Sequence, residues 1–107
     1  MQRFKTITCI IPTGHALELL ERLRTEHGVT SAYAHHARDV ASHALHATGR
    51  GQTIADESEV VTVLVAEEDA DRLFEQLYEM AGIGQPDGGL IFMERMLAAR
   101  ASAAPEA

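Results

Sequence analysis

Twice within 107 residues, an apolar β-branched run leads into an amphipathic helical pattern and then into a second strand-like run. The first such run is Phe4 to Ile11, as expected of a strand covered on both faces. Pro12-Thr13-Gly14 ends it. From His15 to His27, Ala16, Leu17, Leu19, Leu20 and Leu23 recur at helical spacing with charges opposite, and Gly28 stands where a left-handed stop belongs. Glu21 with Arg24, and Glu18 with Arg22, can pair along the exposed face. Val29 to Ala37 reads as a second strand with Val29, Ser31, Tyr33 and His35 on one face. Val60 to Ala66 reads as a third. Glu67 to Ala81 is a helix whose apolar stripe is Ala70, Leu73, Phe74, Leu77 and Tyr78 and whose acidic start suits the helix dipole. Leu90 to Met96 is the fourth strand.

This order predicts an α+β domain: a ferredoxin-like βαβ-βαβ sandwich, an antiparallel sheet with two helices on one face and a long loop between strands 2 and 3. The domain occupies residues 1–97, with a polar, glycine-containing mobile loop at about 38–59, and residues 98–107 form a flexible alanine-rich tail. Two helices cover one sheet face, and a subunit partner is the obvious cover for the other.

Charge and cysteine usage narrow the function. A formal charge of −7 argues against nucleic acid as a partner, because phosphate backbones demand a basic face. Cys9, the single cysteine, lies in an apolar strand and reads as a buried structural thiol in a reducing compartment. The sequence has no signal peptide and no apolar stretch near the ~20 residues of a membrane span, which points to a cytoplasmic protein.

Ala81-Gly82-Ile83-Gly84-Gln85-Pro86-Asp87-Gly88-Gly89 is the segment richest in glycine. It can be a tight helix-to-strand connection. It can also be a concavity whose backbone N–H groups receive an anion. His35, His36, His43 and His46 are either solvated loop side chains or metal ligands, since imidazole binds transition metals but no Cys or carboxylate accompanies it at zinc-motif spacing. His15 and His27 at the helix ends suggest no chemistry. Glu67, Glu68, Asp69 and Asp71 match a helix dipole. No catalytic motif is present, so an enzyme is not expected.

Three segments resemble the PII signalling superfamily. Leu23 to Thr30 is similar to that family's helix end and strand start, Val60 to Val65 to its third strand, and Ala81 to Phe92 to its phosphate loop, with residues 5 to 96 covered. The family's Gly-Asp-Gly-Lys-Ile-Phe loop is matched at Asp87-Gly88 and Ile91-Phe92, but Gly89 and Leu90 stand where the lysine would be. The resemblance implies a homotrimer whose intersubunit clefts bind an adenine nucleotide (AMP, ADP or ATP) or another small effector. It also implies a mobile loop that regulates a partner, such as a membrane transporter or an enzyme. Carried over by position, the nucleotide-binding residues are Thr30, Arg38, Leu64, Asp87, Gly88, Gly89 and Arg95, with Arg38, Arg95 or Arg100 replacing the lost lysine charge. No tyrosine lies between Arg38 and Glu59, so uridylylation there is not expected. The CutA-type cation-tolerance proteins share this architecture, and the alternative is a metal-binding trimer using His35, His36, His43 and His46.

Overall fold

A computed structural model describes residues 3–37 and 58–98. The elements run β1 (Phe4–Pro12), α1 (Ala16–His27), β2 (Ala32–Ala37), β3 (Ser58–Ala66), α2 (Glu67–Met80) and β4 (Leu90–Arg95). The sheet order is β2-β3-β1-β4 and every neighbouring pair is antiparallel, as a ferredoxin-like chain requires. Of the expected loop, residues 38–57 lie outside the described residues, as do residues 99–107 of the expected tail.

Strand alternation sorts the side chains onto two faces. Ile7, Cys9 and Ile11 of β1, with Val61, Val63 and Val65 of β3, meet both helices through Leu19, Leu23, Leu73 and Leu77. Burial in that layer pushes the Cys9 thiol up to about 12, so at neutral pH it is an inert core side chain. The opposite face carries the row His35–Val60–Ile10–Leu90 and beside it Tyr33–Thr62–Thr8–Phe92. Ile10 and Val60 are buried there, while Tyr33 is 60% exposed. Among the described residues no helix packs in that second cluster.

Helix α1 ends where Gly28 takes φ 67°, with Gly28 N–H donating to Arg24 O and Val29 N–H to Leu23 O. That double bond closes the helix and turns the chain back to the sheet. At its other end α1 begins at Ala16, with His15 in the capping position and making no side-chain cap. Glu21 pairs with Arg24 at 2.6 Å as expected, but Arg22 turns to Glu26 at 2.6 Å rather than back to Glu18.

Two boundaries move by more than one residue. β2 starts at Ala32 rather than Val29. Before it, Ser31 is tied to the sheet by its own carbonyl, which accepts from Leu64 N–H, and by its hydroxyl, which donates to Leu64 O. β3 takes in Ser58 and Glu59, two polar residues assigned to the loop, because they face Pro12 and Ile11 across the ladder. Truncating Leu23, which is fully buried under α1, to alanine is expected to cost about 2–5 kcal/mol, measured by urea unfolding.

Candidate functional site

The glycine segment is a closed, self-bonded turn. After α2, Ala81 N–H donates to Leu77 O, Gly82 N–H to Glu79 O and Ile83 N–H to Tyr78 O. Next, Gln85 N–H donates to Gly82 O and Gly88 N–H to Gln85 O. The Gln85–Gly88 turn has Pro86 at its second position and Asp87 at φ 59° at its third, the arrangement of a type II turn. A Cβ on Gly88 would be driven into the carbonyl oxygens of Gly82 and Ile83. Gly89 has φ 109°, and a Cβ there would strike the carbonyl of Ile10. Both glycines therefore answer a close approach, and what approaches is this chain's own backbone.

Against this turn lies a cleft of about 360 Å³, walled by Pro12 and His15, by Glu18 and Arg22 of α1, and by Asp87 and Gly88. The floor is the end of β1 and of α2, through Ile11 and Met80. His15 and Glu18 reach it because α1 starts directly after β1 and runs back along the sheet.

Glu59 fixes that wall. Its Oε1 accepts from Gly14 N–H at 2.5 Å and from Ala16 N–H at 3.4 Å, serving from β3 as the cap that His15 does not provide. Desolvation pushes this carboxyl upward, but the donated N–H groups and the neighbouring His36 outweigh it and hold the group below the usual carboxylate range. Sequence reasoning missed Glu59 because the partners are more than forty positions away.

A second cleft of about 450 Å³ lies at the other end of the helices, between the residues leading into β2 (Thr30, Ser31), the end of β3 (Leu64, Val65) and α2 (Asp69, Arg72). Arg72 is engaged by Asp69 at 3.2 Å.

No family model matches the sequence, and no curated sequence matches it. Solved structures do. Arabidopsis thaliana PII bound to citrate is 13% identical with a TM-score of 0.64, the match covering 88% of this chain and 78% of that one. A B. subtilis GlnK–ATP complex is 18% identical with a TM-score of 0.60, covering 89% and 85%. Another B. subtilis GlnK structure gives 16% and 0.61, covering 89% and 86%. The fold is that of the PII proteins.

Within this PII fold the carried-over positions divide between the two clefts. Asp87 and Gly88 line the first, with Gly89 beside them against β1. Thr30 and Leu64 line the second. Along the β1–β3 ladder, Ile11 faces Glu59 and Lys5 faces Val65, so the two ends are roughly 20 Å apart at about 3.4 Å per residue. Arg95 is exposed on β4 in the Lys5 row, at the Leu64 end of the sheet and away from the glycine turn. Arg38 and Arg100 lie outside the described residues, as do His43 and His46.

The histidine set is divided too. His35 stacks on Tyr33, ring centroids 6.2 Å apart, on the face away from the helices, and His36, next along the strand, belongs to the other face. Adjacent strand positions do not converge on one ion. Among the described residues no three His, Cys, Asp or Glu side chains gather as a metal site.

Two outcomes follow. Gly89→Ala is expected to lower stability by about 2 kcal/mol or more through the left-handed φ and the Ile10 clash, read by denaturant unfolding. Glu59→Gln is expected to cost about 0.5–1 kcal/mol at pH 7, the low end for a cap because the carboxylate lies near solvent. A depressed folded pKa stabilises above the unfolded carboxylate range and is lost as pH falls through the folded value. The gap between wild type and Glu59→Gln should therefore close on acidification, followed by thermal melts from pH 7 to pH 3.

Proposed function

We propose that this chain is a divergent PII-like regulatory protein of the cytoplasm rather than an enzyme. An adenine nucleotide or another small effector binds in clefts between the subunits of a homotrimer. The occupied or empty state of those clefts then sets how a partner protein is engaged through the segment between β2 and β3.

The observation that carries this reading is the division of the site. Thr30 and Leu64 line one cleft and Asp87 and Gly88 the other, at opposite ends of one sheet. A small ligand touching both sets needs a second copy of the chain. Tyr33, exposed on the sheet face where no described helix packs, and the half-buried Leu90 and Phe92 on that face belong to the surface such a copy would cover. The similar structures with citrate and with ATP support a small-molecule effector. The unpaired Cys9 suits a reducing compartment, and among the described residues no helix is long and apolar enough to cross a membrane.

Switching needs an effector that binds the two states of the partner-engaging segment with different affinity. Glu59 is suited to transmit it, since it joins the first turn of α1 to the start of β3.

The test has two measurements. Light scattering at micromolar concentration should give three times the 11.6 kDa chain mass, and calorimetric titration should detect binding of at least one of AMP, ADP and ATP. A monomer removes the shared site, and silence with all three nucleotides removes the adenine effector.

A further inference from the structure

The cleft at the glycine turn is poorly equipped for a polyphosphate. Its polar walls carry the carboxylates of Glu18 and Asp87 and a single guanidinium, that of Arg22, whose Nε is already held by Glu26 at 2.6 Å. His15 is the other titratable group on the lining. Four backbone donors of the turn, the N–H groups of Gly82, Ile83, Gln85 and Gly88, are already taken by carbonyls of the same turn or of α2, which reduces what the backbone can offer a phosphate. The second cleft repeats the pattern: Arg72 is paired with Asp69, and Glu26 also lines it. In both clefts the arginine arrives with its own carboxylate, so among the described lining residues neither offers a spare arginine to phosphate.

We infer that the effector is an adenine ligand of low charge, of the nucleoside monophosphate class, and that the site selects against the di- and triphosphates. The inference rests on the adenine-nucleotide reading above and names which nucleotide it favours. Two unit charges about 8 Å apart in water repel enough to change affinity roughly twofold, and salt reduces this further. ATP carries about two more negative charges than AMP, and both would face Glu18 and Asp87. Summed over those pairs, ATP should bind roughly tenfold more weakly than AMP. Magnesium held by the phosphates of ATP itself cancels about two of its charges, so the tenfold gap is expected of the magnesium-free nucleotides and should shrink when the ion is added.

The experiment titrates the full chain calorimetrically with AMP, ADP and ATP, with and without magnesium, and repeats the series on Asp87→Asn. Asparagine tolerates the φ of 59° at this position, so the turn is preserved while one carboxylate is removed. The expected result is tightest binding by AMP, ATP weaker by about tenfold, and a gap that narrows threefold or more in Asp87→Asn. ATP binding as tightly as AMP in the magnesium-free buffer overturns the inference and leaves the nucleotide reading standing. A gap unchanged by Asp87→Asn also overturns it, because the selectivity then does not come from this cleft. No binding of any of the three overturns both.

Discussion

Strand β1 is paired along both edges and covered by the helices on one face, and the other elements take their places from it. β3 pairs with it from Phe4 to Pro12 along one edge, and β4 pairs from Lys5 to Ile10 along the other. Ile7, Cys9 and Ile11 are buried under the helices and Ile10 is buried on the opposite face, so no stretch of the strand can turn toward water without exposing an apolar row. Its last residues do the most positional work. Ile10 receives the backbone of Gly89, Ile11 faces Glu59, and Pro12 opens the turn from which α1 departs. Ile11 and Pro12 line the first cleft and Ile10 holds Gly89 beside it, so its shape is tied to the end of β1.

Glycine in a loop has two physical explanations that look alike in a sequence. A ligand approaching the backbone excludes a Cβ, and so does another part of the chain. Here the second cause is sufficient for Gly88 and Gly89, since the carbonyls of Gly82, Ile83 and Ile10 already fill the space. The same contacts use up backbone donors. A turn that bonds to itself in this way is rigid, and it presents the Asp87 side chain rather than a row of free N–H groups to the cleft.

The fold was legible because its signals are local and repeated. Leucines at helical spacing from Ala16 to Leu23, Gly28 at the stop and the β-branched run Val60–Val65 each name an element without help from the rest of the chain. The β2 boundary was less so, because alanines at 32, 34 and 37 carry little strand preference and the ladder to β3 decides where pairing begins. Ser58 and Glu59 look like loop by polarity and become strand because β1 extends far enough to face them. Of the candidate site, the turn residues were named from composition and resemblance. Glu59, His15 and Glu18 were not, because their importance comes from a strand meeting a helix start that is distant in sequence.

The length of the sheet bears directly on how such a protein could signal. Half-sites separated by a β1–β3 ladder of about 20 Å cannot be satisfied by a small ligand inside one chain. In the proposed assembly each ligand would join the glycine turn of one copy to the Thr30–Leu64 cleft of another, so binding and subunit packing would share one free energy. Within the chain, Glu59 then extends the chain of contacts from that cleft. It holds the first turn of α1, which supplies His15 and Glu18 to the wall, and it lies across from His36 at the end of β2. A ligand that shifts the start of α1 must either strain these N–H···O bonds or move Glu59 with it. Residue 59 is next to the first residue of β3, so that movement is delivered where the chain enters the sheet from the segment following β2. Coupling of this kind requires no long pathway, because the cleft wall, the cap and the strand entrance are joined through one carboxylate.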